Sequence, residues 1–356
     1  MDQNLALNFR ALYPRLLSFG IGYGDLERIT SRANDWASFS RAMADLGEHW
    51  DHSGDKAYKL GCLETPRQHW LRAAAYYHYA QLRLQDSLLK ESLRRACRQA
   101  YAKYAPLADP PVLRCEVPFQ DMNLPGYLRT TKTGPCVLLI GGLDSAKEVE
   151  LHHFAEIFLN RCCSVFYFDG PGQGELYGRS SMTSGFEKAV ASVINSLAFD
   201  QRVQFGRIGC FGVSFGGYLA CLASAANPRI DACISIGGFF DHRILPKLPP
   251  VAAATVRNSF GLPANAPVAE LAPYISLEPQ RGKMAAPLLI MHGTADHLVD
   301  ADQIAAMKSW ACGPVETMVL EGSEHVCSDR FNECLPHMGD WMTTWLMHKN
   351  EFVAVI

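Results

Sequence analysis

The chain has 356 residues, 48% of them hydrophobic and 19% charged, with a formal net charge of −3; this is the balance of an ordinary globular protein, long enough for one large core domain and a smaller companion. Both signs of charge are mixed along the sequence, which argues against nucleic acid or an anionic membrane as the main partner and leaves a small molecule as the expected one. The opening "MDQNLALNFRALYPRLL" lacks the basic, apolar and small-residue regions of a signal peptide, and no run approaches the roughly 18 apolar residues of a membrane span, so a cytoplasmic chain is expected.

Residues 1 to 108 carry almost no strand signal. "YGDLERITSRANDWASFSRAMADLGEHWDHSGDKAYKLG", "ETPRQHWLRAAAYYHYAQLRLQ" and "DSLLKESLRRACRQAYAKYA" repeat apolar residues at helical spacing, with good helix formers between them. Aromatic residues at that spacing are core before they are pocket, and His78 in "YYHYA" reads as a packed core or cap residue.

The prolines of "PLADPPVLRCEVPF" break the helical pattern, because proline lacks the backbone donor and fixes φ. The sequence therefore divides near Pro110 into a helical domain, 1–108, and a second domain, 109–356. After "LRCEVPFQ" and "LPGYLRT" come short apolar runs alternating with helical patterns: "PCVLLIGG", "CSVFYFDGPGQG", "FEKAVASVINSLAF", "RIGCFGV", "GGYLACLASAA", "DACISIGGF", "APLLIMHGTAD", "DQIAAMKSWA" and "ETMVLEGSEH". Strands apolar on both faces and separated by helices predict an α/β fold, a mostly parallel sheet covered on both sides. The stretch from Asp241 to about Ile275 is rich in Pro and Ala and reads as an excursion near the functional edge. The 12 cysteines are scattered through apolar runs without a C-x-x-C pair, as expected of reduced core thiols.

The motif that carries chemistry is "FGVSFGG", Phe211 to Gly217. G-x-S-x-G is weak alone, but here a buried strand precedes it and a helix follows, which places Ser214 on the sharp turn of a nucleophile elbow. A serine needs a base and an orienting acid, in the order Ser, Asp or Glu, His for this architecture. Asp296 follows the strand "PLLIMHG" and His325 follows "ETMVL", both at strand ends. Asp300 competes for the acid role from the same loop, and His292 and His297 lie beside Asp296. An oxyanion hole needs two amides aimed at one oxygen. Phe215 should supply one, and Gly142 or Leu143 of "VLLIGGLDSAKE" the other.

"FDGPGQGE", Phe168 to Glu175, lacks the Lys-Ser/Thr of a P-loop and fits the dinucleotide fingerprint poorly, so it reads as a tight turn at the rim of the site. Asp169 and Glu175 are expected to orient loops. No metal-ligand spacing and no cofactor motif is found.

The chain resembles the α/β-hydrolase group that contains dihydroxypseudooxynicotine hydrolase and the polyketide chain-shortening hydrolases of fungal melanin and bacterial anthraquinone pathways. FrsA-type esterases are more distant members. The resemblance spans nearly the whole chain through "GYGDLERI", "LRAAAYYHYA", "LPGYLR", "GGLDSAKE", "FDGPGQGE", "GVSFGG", "CISIGGF", "HGTAD" and "EGSEH". It implies an α/β-hydrolase fold with an N-terminal helical cap, a catalytic Ser214, Asp296 and His325, and a homodimer. The segment "HRILPKLPP" after "GGFFD" departs from the group.

The expected activity is hydrolysis of a carbon–carbon bond beside a ketone, in a β-dicarbonyl, acylated aromatic or polyketide-like substrate, through an acyl-serine and without a cofactor. An ester hydrolase or thioesterase with the same residues is the alternative, with a polyketide cyclase or lyase as a variant. A non-catalytic FrsA-like regulatory role stands further off.

Overall fold

The computed structural model describes residues 9–84, 87–131, 133–182, 185–203 and 206–347. It separates into two compact units, Met1–Leu113 with Glu148–His153, and Arg114–Lys147 with Phe154–Ile356.

The first unit is helical: α1 (Tyr13–Ser18), α2 (Tyr23–Thr30), α3 (Trp36–Lys59), α4 (Glu64–Gln81) and α5 (Ser87–Tyr104). The long α3 begins at a capping box in which Asp35 Oδ1 accepts the Ser38 N–H at 2.7 Å and Ser38 Oγ accepts the Asp35 N–H at 3.1 Å, which satisfies two donors the first helical turn leaves open. It packs on α4, which packs in turn on α5. The central helix α4 is buried all round from Ala73 to Gln81, as a helix enclosed by others must be. Aromatic side chains fill this unit: Phe9 meets Trp36 edge-on at 4.7 Å and stacks on Phe39 at 5.0 Å.

The division falls after Leu113, not after residue 108, and Glu148–His153 joins the helical unit although the sequence reading put it in the second one. Side-chain chemistry accounts for this. The buried Glu150 accepts from Arg15 at 2.8 Å, from His78 at 3.0 Å and from Tyr79 at 3.1 Å, and the Tyr101 hydroxyl lies 2.9 Å from His152 Nδ1. A carboxylate so deeply buried needs those partners.

The second unit is built on an eight-stranded sheet in the order β1-β2-β4-β3-β5-β6-β7-β8. Its strands are β1 (Leu113–Phe119), β2 (Met122–Arg129), β3 (Cys136–Ile140), β4 (Ser164–Phe168), β5 (Ile208–Val213), β6 (Ile230–Ile236), β7 (Leu288–Gly293) and β8 (Val315–Leu320). β2 runs antiparallel to β4, and every pairing from β4 across to β8 is parallel. β3, β4, β5 and β7 are buried along their whole length, as strands covered on both faces must be. The covering helices are α6 (His152–Leu159), α7 (Phe186–Ala198), α8 (Phe215–Ala226), α10 (Ala301–Trp310) and α11 (Phe331–Met347). Phe154 and Phe158 of α6 reach Phe211 of β5 at 4.9 and 5.8 Å.

The excursion after Asp241 is helical in short pieces: 3₁₀ turns at His242–Lys247 and Val268–Tyr274, with α9 (Pro250–Phe260) between them. All 12 cysteines are free, but Cys62, Cys162 and Cys312 are exposed rather than in the core. Among the described residues no helix is long and apolar enough to cross a membrane.

From β3 the chain moves to β4 on one side and then returns to β5 on the other. Such a reversal opens a crevice at the carboxyl ends of the two strands, where α/β sheets bind ligands.

Candidate active site

Ser214 follows β5 at that crevice, and it is held in an uncommon backbone conformation, φ 56° and ψ −123°. Its N–H donates to the Ile236 carbonyl at 2.8 Å, and its own carbonyl accepts the Gly217 N–H at 2.8 Å. These bonds sustain a strained turn that a side chain on either flank would prevent. A Cβ at position 212 would lie 2.0 Å from the Gly216 carbonyl oxygen, and one at 216 would lie 2.3 Å from that of Ile140. The turn projects Ser214 at the N-terminus of α8, whose dipole favours negative charge.

Ser214 Oγ–H donates to His325 Nε2 at 2.8 Å, and His325 Nδ1–H donates to Asp296 Oδ2 at 2.7 Å. The three residues sit after β5, β7 and β8, so three parallel strand ends converge on one relay. Asp296 Oδ1 accepts the N–H groups of Leu298 at 2.8 Å and Val299 at 3.0 Å. Burial alone would raise the Asp296 carboxyl, but the hydrogen bond and charge of His325, together with those amides, hold it below its ordinary value. Asp296 is therefore a carboxylate oriented for the imidazole. Asp300 turns away: it is exposed and paired with Lys247. His297 is exposed. His292 is buried on β7, where desolvation lowers its pKa.

Phe215 is the first residue of α8, so its N–H has no acceptor within the helix. Of the two candidates on the loop after β3, Gly142 stands beside the nucleophile, since a Cβ there would lie 3.3 Å from Ser214 Cβ. Its N–H, however, donates to Ser145 Oγ at 3.1 Å. Leu143 carries the next amide along this loop.

The loop from Phe168 to Glu175 braces this region. Lys147, buried completely, places Nζ 2.6 Å from Asp169 Oδ2 and 2.6 Å from Glu175 Oε1, and Arg114 reaches Glu175 at 2.6 Å. Burial raises the Glu175 carboxyl, but Arg114 and Lys147 outweigh it and bring it down to about 2. Gln173 Nε2 donates to the Gly141 carbonyl at 2.7 Å. The sequence reading gave Asp169 and Glu175 a loop-orienting part but missed Lys147, Ser145 and Gln173. Lys147 carried no signal of its part, because it opens the polar stretch "KEVELHH" after "GGLDSA", where a cation reads as solvated. Among the described residues no group of three or more His, Cys, Asp or Glu side chains could hold a metal ion.

The sequence matches the profile of the family described as esterase FrsA-like over residues 52–253, more than half its length. The chain belongs to the FrsA-like esterase family. This FrsA-like chain also matches the prolyl oligopeptidase family over residues 186–348. It is 26% identical to the 2,6-dihydropseudooxynicotine hydrolase of Paenarthrobacter nicotinovorans, covering 93% of this chain and 90% of that one. It is 32% identical to the 20-hydroxy-prefusarin hydrolase FUS2 of Gibberella moniliformis, covering 58% of this chain and 53% of that one. It thus spans about half the length of the fungal relative. A crystal structure of the 2,6-dihydroxy-pseudo-oxynicotine hydrolase superposes with a TM-score of 0.86 at 24% identity, covering 94% of this chain and 96% of that one. The fold is that of an α/β hydrolase, and the FrsA-like chain is an α/β-hydrolase enzyme.

Proposed function

We propose that this enzyme is a serine hydrolase that cleaves a carbon–carbon bond beside a ketone, in a β-dicarbonyl, acylated aromatic or polyketide-like substrate. The observation that carries the reading is the relay from Ser214 through His325 to Asp296, at 2.8 and 2.7 Å. Ser214 Oγ attacks the ketone carbon while His325 Nε2 takes its proton, and Asp296 stabilises the imidazolium that forms. The developing oxyanion lies against the N–H groups of Phe215 and Leu143. The carbon–carbon bond then breaks, and its electron pair leaves as an enolate delocalised into a second carbonyl or a phenol ring. His325 returns the proton to that carbon. Water, deprotonated by the same histidine, attacks the acyl-serine and releases the carboxylic acid. The cycle draws on no cofactor.

Two relatives named as hydrolases of pseudooxynicotine and prefusarin compounds support this substrate class. The family's description as esterases supports a second reading, in which an ester or thioester is cleaved by the same residues. Heavy water separates them. With a substrate whose product carbon does not exchange spontaneously, carbon–carbon cleavage places deuterium on the carbon released from the broken bond, and ester hydrolysis leaves every carbon unlabelled. Turnover of simple aryl or alkyl esters with kcat/KM near about 10⁵ M⁻¹s⁻¹, beside inert β-diketones and acylphenols, would establish the esterase reading instead. We also propose a homodimer, on the family resemblance, and a single-chain mass in sedimentation equilibrium would overturn that assembly.

A further inference from the structure

The loop "FDGPGQGE" holds a side chain that the proposed cycle does not use. Gln173 is 3% exposed, and both of its polar atoms engage backbone groups: Nε2 donates to the Gly141 carbonyl at 2.7 Å, and Oε1 accepts the Gly170 N–H at 3.2 Å. The Gly141 carbonyl and the Gly142 N–H belong to one peptide group, which is planar and trans, so they point in opposite directions and turn together. That N–H is taken by Ser145 Oγ at 3.1 Å. The peptide is therefore held at both ends. The next peptide carries the Leu143 N–H and swings about Gly142, which has no side chain to restrict φ and ψ. This pivot lies against the nucleophile, since a Cβ there would stand 3.3 Å from Ser214 Cβ.

We infer that Gln173 is a positioning residue that, by gripping the Gly141 carbonyl, fixes the pivot from which the Leu143 N–H is aimed at the oxyanion. The inference rests on the serine-hydrolase reading above. The grip is rigid because the loop is itself anchored: Glu175 N–H donates to Asp169 Oδ2 at 2.9 Å, and the buried Lys147 stands 2.6 Å from that same oxygen. Without Gln173 the buried Gly141 carbonyl must rotate to find another donor, and rotation of that peptide turns the Gly142 pivot with it. An oxyanion donor works only at the right distance and direction, so the loss falls on the chemical step.

The test needs no natural substrate. A fluorophosphonate reacts with a serine nucleophile by forming an O–P bond and expelling fluoride, the serine proton passing to the base, while its P=O oxygen occupies the oxyanion position. Gln173→Glu keeps the acceptor for Gly170 but turns a carboxylate oxygen towards the Gly141 carbonyl, and protonation of that carboxylate restores an O–H donor. Near pH 8 the full-length Gln173→Glu chain should label at least about tenfold more slowly than the wild type, part of the roughly 10²–10³ lost when a donor is removed outright. The ratio of variant to wild type should rise as the pH falls towards 5, a trend that a loosened loop would not produce. Labelling within about twofold of the wild type near pH 8, or a deficit that stays flat with pH, overturns the inference. Gln173→Met, which is uncharged and lacks both bonds, should be slowed without any pH trend. It decides the matter if Gln173→Glu does not fold, because labelling at the wild-type rate would overturn the inference equally. A folded wild type that resists labelling altogether refutes the serine reading and the inference with it.

Discussion

Asp296 and Asp300 share one loop and one charge, yet their surroundings give them different tasks. Asp296 is buried against the imidazole of His325 and two backbone amides, whereas Asp300 meets Lys247 in the open. Asp296→Asn should therefore lower kcat by about 10⁴, the scale seen when the orienting acid of a triad is neutralised, and Asp300→Asn should stay close to the wild type; steady-state kinetics that rank them in the reverse order would move the acid role to Asp300. Ser214→Ala should lose roughly three orders of magnitude or more in kcat while retaining substrate binding. A pH effect follows from the depressed Asp296 carboxyl. A carboxylate that ionises more readily folded than unfolded stabilises the fold above its unfolded value, about 4, and that contribution vanishes as the pH falls through the lower folded value. The melting temperature of the wild type should thus drop more steeply below about pH 4 than that of Asp296→Asn. That Ser214, Asp296 and His325 come together was legible in the sequence because each follows a strand that ends at the same edge of the sheet. The bond from the Gly142 N–H to Ser145 Oγ was not, because no local pattern records where one serine hydroxyl sits.

At the scale of the element, the loops after β3 and β4 are braced together by one buried cation. Lys147 is fully buried between Asp169 and Glu175. Removing one member of such a cluster costs more than the cluster contributes, because the charges opposite it stay buried. Lys147→Met should lower stability by about 3–5 kcal/mol, measured by urea unfolding, and should slow catalysis through the loop that carries Leu143. A stability change below about 1 kcal/mol would show that water replaces the ammonium. Strands β3, β4, β5 and β7 were legible as largely apolar runs, each ending in or followed closely by glycine. The excursion from His242 to Tyr274 was not, because much of it is 3₁₀ turn, whose three-residue repeat is too short to print a periodic apolar face.

At the scale of the molecule, the two units differ in what they owe to one another's sequence. A chain beginning at Arg114 keeps Glu150 and His152 but loses Arg15, His78, Tyr79 and Tyr101, which bond to them. Such a truncation should aggregate or unfold, because it strips buried polar groups of their partners; a folded, fully active product in gel filtration and kinetics would contradict this. The boundary itself was only partly legible. Prolines announce it near residue 110, but the return of Glu148–His153 to the helical unit depends on side-chain pairings between distant positions, which no local pattern records. That return has a bearing on descent and redesign. A unit made of a single stretch can be gained, lost or exchanged by one crossover at each end. Here the helical unit owns six residues in the middle of its neighbour's sequence, so a transplant that leaves them behind arrives incomplete. Lineages that trade this unit for another would have to rewrite the segment after "GGLDSAK" in the same step, and chimeras that exchange both pieces together should fold where those exchanging the first alone do not.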